Sequence, residues 1–123
     1  MFCGIDIVEI SRIEDMAVRH GKSLGRFFTA QEILYCAKRE KTRYASLAGI
    51  FAAKEAFFKA LGTGFRGGKW TDVEVSHTEE GAPYFIFHGY YAVAAAERST
   101  AVPALSISHD GAYAIAQVIW SEA

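Results

Sequence analysis

The chain has 123 residues, of which 51% are hydrophobic and 22% are charged, and its formal net charge is −1. This length suits one domain with an apolar core, and the low net charge argues against a general nucleic-acid-binding protein. Two cysteines, Cys3 and Cys36, exclude a disulfide framework and a four-cysteine zinc site. We expect both to be small buried side chains in a cytoplasmic protein without a secretory signal or a membrane span.

The order of hydrophobic patterns predicts an α+β fold, with a small, mostly antiparallel sheet packed on a long central helix. Capping-box spacings of Ser11 with Glu14 and of Thr29 with Glu32 mark two helix starts. In chain order, the predicted elements are a strand over 2–8, helices over 12–20, 30–39 and 44–61, paired strands over 71–77 and 84–87, a short helix over 90–98, and a hairpin of 105–108 with 112–120. Asp110-Gly111 in the hairpin predicts a type I′ turn.

The third and longest predicted helix has a lysine in the middle of its apolar face. On a helical wheel, Lys54 lies at the centre of the apolar arc, while Glu55 and Lys59 lie one turn apart on its flank. A buried ammonium group must lose its proton, find an anion or extend to the edge of the face. Glu55 and Lys59 form either an ordinary surface ion pair or part of a site. Ala48 and Ala52 on the same flank leave room for a bulky group.

Asp6 interrupts the otherwise apolar first strand, where it shares a face with Gly4 and Val8. Either backbone N–H groups or a single cation satisfy this carboxylate, or it is a ligand of a hard metal ion. Magnesium takes oxygen ligands and often binds one or two protein carboxylates, with phosphates and waters in the remaining positions. Asp6 and Glu55 suit such a site if the fold brings them together.

Three weaker signals accompany this pair. The turn Gly62-Thr63-Gly64 either terminates the helix or presents free N–H groups to a phosphate. His109, at the tip of the predicted hairpin, is either an exposed turn residue or a phosphate-binding residue. The segment over 38–43 is basic at four of its positions, Lys38, Arg39, Lys41 and Arg43.

Two segments resemble the signatures of a known family. The first is GIDIVEISRI at 4–13, and the second is FAAKEAFFKALGTG at 51–64. The similarity continues through DVEV at 72–75, GAPY at 81–84 and SISHD at 106–110, so it covers nearly the whole chain. In these segments the chain resembles the holo-acyl-carrier-protein synthases, the short class of 4′-phosphopantetheinyl transferases. The resemblance implies the 4′-phosphopantetheinyl transferase fold, in a single domain over residues 1–123.

The resemblance also implies an activity. Such an enzyme transfers 4′-phosphopantetheine from coenzyme A to a serine of an apo-acyl carrier protein of fatty acid or polyketide synthesis, and releases adenosine 3′,5′-bisphosphate. It is a homotrimer with active sites between subunits. The implied roles are magnesium binding and catalysis for Asp6 and Glu55, catalysis at the pyrophosphate for Lys59, coenzyme binding for Lys54, Lys59, Gly62, Thr63, Gly64, Pro83, Tyr84 and His109, and carrier binding for Arg12.

One position departs from the family pattern. Members often carry an arginine that helps to hold a phosphate of coenzyme A where this chain has Ile50, and Arg43 or Lys41 is expected to replace it. The general base stays open between Glu55 acting through a water, a metal-bound hydroxide and Asp6. Two rival functions also stay open: a magnesium-dependent nucleotide phosphohydrolase that needs no carrier, and a coenzyme-A-binding scaffold with a degenerate site.

Overall fold

The computed structural model describes residues 1–122 and confirms the α+β architecture. The strands are β1 (Phe2–Glu9), β2 (Val73–His77), β3 (Pro83–Phe87), β4 (Ala104–Asp110) and β5 (Tyr113–Trp120), and the helices are α1 (Ile10–Arg19), α2 (Leu24–Phe27), α3 (Ala30–Ala37), α4 (Arg43–Leu61) and α5 (Gly89–Arg98). Within residues 1–122, no helix is both long and apolar enough to cross a lipid bilayer.

The strands form two antiparallel sheets. The larger sheet has the order β1-β5-β4, and β2 pairs with β3 in a separate two-stranded sheet. Side chains alternate between the two faces of a strand, so Gly4 and Val8 of β1 face α4 while Ile5 and Ile7 face outward. The helix α4 therefore covers one face of the larger sheet, and the opposite face is apolar and exposed.

The backbone of β1 lies directly on α4 at Gly4. A Cβ atom at this position would lie 1.9 Å from the carbonyl oxygen of Ala56, so only glycine allows the strand and the helix to approach this closely. Ala48 and Ala52 have none of their surface exposed. The prediction that this alanine flank leaves room for a bulky group is therefore wrong, because packed elements of the fold occupy that space.

Lys54 is buried in the core and pairs with Glu32 of α3. Both side chains are 0% exposed, and Lys54 Nζ donates to Glu32 Oε1 over 2.8 Å and to the Trp70 carbonyl oxygen over 3.2 Å. Burial lowers the pKa of Lys54, and the negative charge of Glu32 opposes that shift. Lys54 therefore pairs with an anion inside the protein and does not extend to the edge of the apolar face.

Glu32 joins three elements through its two carboxylate oxygens. Oε1 also accepts a hydrogen bond from Thr29 N over 2.8 Å, which completes the predicted capping box at the start of α3. Oε2 accepts from Val75 N of β2 over 2.7 Å. A buried carboxylate requires such partners, and here they come from α3, α4 and β2 at once.

The capping box predicted at Ser11 does not form. The helix α1 begins at Ile10, and its N-cap residue Glu9 makes no side-chain cap hydrogen bond. Ile10 N instead donates to the carbonyl oxygen of Ala112, in the turn between β4 and β5, over 2.9 Å. The pairing of β1 with β5 thus continues into the first helical residue and sets the helix start.

Two further predictions are wrong in detail. The hairpin of β4 and β5 is confirmed, but its two-residue loop is Gly111-Ala112, because Asp110 pairs with Tyr113. Gly111 has a φ of 57° and Ala112 has no positive φ, whereas a type I′ turn requires positive φ at both loop residues. Cys3 is exposed, because the alternation of β1 turns it outward.

Cys36 is buried, as expected. Burial raises the pKa of its thiol to about 12, with the negative charge of Glu32 adding to the rise. Cys36 therefore behaves as a small core side chain.

The variant Lys54→Met should lower the free energy of unfolding by about 3–5 kcal/mol, because it leaves the Glu32 carboxylate buried without its cation. Urea unfolding at a fixed protein concentration, followed by circular dichroism, measures the loss. Lys22→Met removes an exposed lysine and should change stability by less than ~0.5 kcal/mol. A loss below ~1 kcal/mol for Lys54→Met would contradict a structural role for the pair.

Candidate functional site

Asp6 and Lys59 meet at one edge of the larger sheet, where β1 runs along α4. Lys59 Nζ donates to Asp6 Oδ1 over 3.1 Å and to the carbonyl oxygen of Ile5 over 2.9 Å. The Asp6 side chain is 18% exposed and that of Lys59 is 55% exposed. Lys59 therefore pairs across to the strand, not along the helix with Glu55 as an ordinary surface pair would.

Glu55 is half-buried one helical turn before Lys59. Burial raises the pKa of Glu55, and the negative charge of Asp6 adds to the rise, while the positive charges of Lys59 and Arg12 oppose it. Asp6 and Glu55 thus lie close enough for their charges to interact, although they are far apart in the sequence. Within residues 1–122, Glu55 has no side-chain hydrogen-bond partner.

Arg12 adds a positive charge beside these carboxylates. It is an exposed residue of α1, and its guanidinium carbon lies 5.7 Å from the ring centroid of Phe51 on α4. Its charge is felt at Glu55, where it opposes the rise in pKa. An exposed basic group therefore lies near Glu55.

The Asp6–Glu55 pair fits a hard divalent cation. Two adjacent carboxylates repel each other, and the raised pKa of Glu55 reflects part of that repulsion. A bound cation would replace the repulsion with attraction. Within residues 1–122, no three His, Cys, Asp or Glu side chains form a potential metal cluster. The chain thus offers two oxygen-donor residues and leaves other positions to phosphates and waters, as magnesium sites often do.

Two predicted coenzyme-binding residues, Pro83 and His109, line a cavity of about 320 Å³ at the other edge of the larger sheet. We call it the β4-edge cavity, and its lining includes Tyr35, Arg39, Ile50, His77, Pro83 and His109. Tyr35, Arg39 and His77 were missed at the sequence level. Arg39 belongs to the basic segment over 38–43, which was a usable signal. The rings of Tyr35 and His77 meet only when β2 packs beside α3.

The remaining predicted positions lie outside these two sets of residues. Lys54 is in the core with its amine bonded to Glu32, so it presents no charge at the surface. The guanidinium of Arg43 donates to the Glu40 carbonyl oxygen over 3.4 Å and does not line the β4-edge cavity. Tyr84 is exposed on β3, next to Pro83 of the cavity wall.

The glycine turn after α4 terminates the helix. Gly62 has a φ of 87°, and both Gly62 N and Gly64 N donate to the carbonyl oxygen of Phe58. The hydroxyl of Thr63 donates to the carbonyl oxygen of Gly64 over 3.1 Å. Of the two alternatives for this turn, helix termination explains these contacts, because the two glycine N–H groups are already used.

Sequence comparison identifies the relatives of the chain. The family model of the 4′-phosphopantetheinyl transferase superfamily matches residues 2–118. The chain belongs to this superfamily. The resemblance carried by the two signature segments is thereby confirmed.

Individual relatives narrow the family to one class. The holo-acyl-carrier-protein synthase of Moorella thermoacetica is 44% identical over 113 residues, which are 92% of this chain and 88% of that protein. The crystal structure of the Neisseria meningitidis synthase has a TM-score of 0.86 at 32% identity, over 98% of this chain and 97% of that one. The Helicobacter pylori synthase, in complex with coenzyme A, has a TM-score of 0.81 at 37% identity, over 97% and 99%. The predicted fold and enzyme class are confirmed by these relatives.

In the metal-free protein, Asp6→Asn should lower the pKa of Glu55, because it removes a negative charge that raises this pKa. Lys59→Met should raise the pKa further, because it removes a positive charge that opposes the rise. NMR titration of the labelled glutamate carboxyl carbons measures both shifts, with Glu97→Gln, an exposed helix residue, as the control. Shifts of the same sign in both variants would contradict the arrangement.

Proposed function

We propose that this chain transfers the 4′-phosphopantetheine group of coenzyme A to a serine of an apo-acyl carrier protein, with magnesium, and releases adenosine 3′,5′-bisphosphate. The observation that carries the proposal is the convergence of Asp6, Glu55 and Lys59 at the β1 edge of a transferase-family chain. We also propose a cytoplasmic enzyme that serves a carrier of fatty acid or polyketide synthesis.

In the proposed reaction, the serine oxygen attacks the phosphorus that bears the pantetheine arm, and the bond from that phosphorus to the adenosine bisphosphate breaks. Magnesium held by Asp6 and Glu55 would neutralise charge on the pyrophosphate oxygens. Lys59 is oriented by its hydrogen bonds to β1 and is more than half exposed, so its amine can stabilise or protonate the leaving phosphate. Catalysis of this kind depends mainly on positioning and charge.

The proton of the serine hydroxyl needs an acceptor, and we assign it to Glu55, acting through a water. Asp6 Oδ1 already accepts a hydrogen bond from Lys59, which holds the Asp6 carboxylate in place. Glu55 has no such partner in residues 1–122, and burial and Asp6 raise its pKa. Glu55 can therefore accept a hydrogen bond from the water that takes up the serine proton.

Asp6→Asn and Glu55→Gln should each reduce carrier modification by at least ~100-fold, because each removes a carboxylate that would hold the magnesium ion at the pyrophosphate. Mass spectrometry of apo carrier incubated with coenzyme A and magnesium measures the gain of the phosphopantetheine group. Glu97→Gln is the matched control, and circular dichroism checks that each variant is folded. Near-normal modification by either site variant would rule out the assigned pair. Coenzyme A cleavage without carrier would instead support a hydrolase.

Arg12→Ala should weaken binding of the acidic carrier protein, because it removes an exposed positive charge beside Glu55. The loss should be larger at low ionic strength, where surface charges are screened less. The apparent affinity for the carrier, measured over a series of salt concentrations, tests this. An affinity that Arg12→Ala leaves unchanged across the series would count against a carrier-binding role.

We further propose that the active enzyme is a homotrimer with sites shared between subunits. The outward face of the larger sheet is apolar, with Ile5, Ile7, Ile115 and Ile119 exposed by 50%, 61%, 37% and 37%. Such a patch is typical of a protein–protein interface. The β1-edge carboxylates and the β4-edge cavity also lie on opposite edges of the sheet, so two subunits side by side would bring one set from each together.

Mixed trimers test the shared site. Glu55→Gln disables the β1 edge, and His109→Glu places a carboxylate in the β4-edge cavity, so each variant alone should be nearly inactive. When the two variants are co-expressed in equal amounts, about one interface in four combines an intact β1 edge with an intact β4-edge cavity. The mixture should therefore recover about a quarter of the normal activity. Native mass spectrometry verifies that mixed assemblies form. Mixed trimers without any activity would show that both halves of a site belong to one subunit.

A further inference from the structure

The segment that follows α4 is rich in glycine and mostly exposed, yet its backbone is fixed at several points. Residues 62–69, which we call the glycine segment, contain four glycines, and Gly62, Gly64 and Gly67 have positive φ. Glycine loses more conformational freedom on folding than any other residue. A segment of this composition therefore keeps one conformation only where contacts with the rest of the protein hold its backbone.

The hydroxyl of Tyr91 holds the middle of the glycine segment. Tyr91 lies on α5 and is 0% exposed. Its oxygen accepts a hydrogen bond from Arg66 N over 2.8 Å and donates to the Arg66 carbonyl oxygen over 3.0 Å. Burial raises the pKa of this hydroxyl, so it keeps its proton and remains a donor at neutral pH. One side chain therefore satisfies both backbone polar groups of Arg66.

The backbone of the glycine segment lies directly on the rings of α5. A Cβ atom at Gly68 would lie 2.6 Å from Cε2 of Tyr91, and one at Gly67 would lie 2.8 Å from Cε2 of Tyr90. Only glycine permits contacts this close. The glycines and the two tyrosines thus form one complementary contact, which brings the Arg66 backbone within reach of the Tyr91 hydroxyl.

The start of the glycine segment completes the last turn of α4. Gly62 N donates to the carbonyl oxygens of Phe58 and Lys59, each over 3.1 Å, and Gly64 N donates to that of Phe58 over 3.3 Å. The last carbonyl groups of a helix have no partners within it, so these two glycine N–H groups hold the turn closed. Lys59 belongs to this turn, and its amine reaches across to β1. The position of the segment therefore bears on the position of Lys59.

Arg66 lies between two further anchors of the segment. On one side is the bond of Gly64 to α4, and on the other Lys69 N donates to Asp72 Oδ2 over 3.0 Å. Loss of the Tyr91 hydroxyl would leave the glycine-rich backbone between these two anchors without its central hydrogen bonds. Motion there would be passed to Gly64 and, through it, to the end of α4.

We propose that Tyr91 is a positioning residue for the transfer reaction: its hydroxyl holds the glycine segment on the core and so keeps the last turn of α4, with Lys59, beside Asp6. This inference rests on the proposed function, in which Lys59 acts on the leaving phosphate. Lysine has a long, flexible side chain, so its amine stays aimed at β1 only while the turn that carries it is fixed. Because Tyr91 is buried, it acts through the segment and not on a substrate.

Tyr91→Phe keeps the ring and removes only the hydroxyl. It should lower kcat for carrier modification by about 10-fold, because a misplaced Lys59 amine stabilises the leaving phosphate less. The KM values for coenzyme A and for the carrier should stay within about twofold, because the charge on the leaving phosphate develops in the transition state. Tyr90→Phe, the same change at the adjacent exposed tyrosine, should leave kcat unchanged. A raised KM with an unchanged kcat in Tyr91→Phe would overturn the positioning role.

A double-mutant cycle tests whether Tyr91 acts through Lys59. In a Lys59→Met background, Tyr91→Phe should change kcat by less than about twofold, since the group that it positions is already absent. Mass spectrometry after long incubation measures the slow transfer by these variants. Losses of about 10-fold in both backgrounds would show that the hydroxyl only supports the fold, and would overturn the proposal.

Gly68→Ala perturbs the same contact from the side of the segment. Its Cβ would clash with the Tyr91 ring, so this variant should lower kcat as Tyr91→Phe does. Gly21→Ala is the matched control, because the space around its Cβ is open to 4 Å. Circular dichroism checks that each variant is folded. If Tyr91→Phe does not fold, Gly68→Ala decides the question through the same kinetic measurements, and a normal kcat in Gly68→Ala would then overturn the proposal.

NMR relaxation measures the anchor without any substrate. In Tyr91→Phe, the order parameters of the Gly64 and Arg66 amides should fall from about 0.85 towards 0.6 on the scale of backbone rigidity. Unchanged order parameters would overturn the anchor itself. Absence of transfer by the unaltered protein would overturn the proposed function, whatever the order parameters show. Transfer with a normal kcat in Tyr91→Phe would overturn only the role of Tyr91.

Discussion

The buried contact between Glu32 and Lys54 sets the relative positions of the elements that carry the site. One carboxylate bonds to the start of α3, the middle of α4 and the backbone of β2. Tyr35 follows Glu32 by one turn of α3, and His77 follows two residues after the bonded amide of β2, so the same contact brings the two stacked rings together. Glu55 is the next residue after Lys54, and its position on α4 is held as well. A charge pair with no exposed surface is thus the common anchor of the β1-edge carboxylates and the β4-edge cavity.

The helix α4 serves two chemically different surfaces because opposite sides of it pack against different elements. On one side, glycine at position 4 lets β1 approach until Asp6 lies beside Glu55 and Lys59. On the other side, Ile50 forms part of a cavity closed by α3 and β4. The two surfaces are separated by the width of a three-stranded sheet. This separation, together with the apolar outer face of that sheet, is the physical basis for our proposal that two subunits share a site.

Local signals in the sequence were reliable where neighbouring residues decide the structure. The Thr29–Glu32 capping box, the long helix that ends at Gly62 and the paired strands are confirmed, since spacing and backbone preference act over a few residues. The same signals failed where a distant segment intervened. Ser11 does not cap α1 because Ile10 is bonded to the β4–β5 turn. The alanine flank of α4 is not open because packed elements cover it.

The sequence by itself determined the order of the elements, the family and the candidate carboxylates, because hydrophobic period, capping chemistry and signature motifs are local properties of the chain. Only the tertiary structure decided which side chains meet. It paired Lys54 with Glu32 in the core, turned Lys59 from Glu55 to Asp6, and brought Arg39 onto the Tyr35–His77 stack beside Ile50. Each of these contacts joins different elements, and their geometry depends on how helices and sheets pack, which no local pattern encodes.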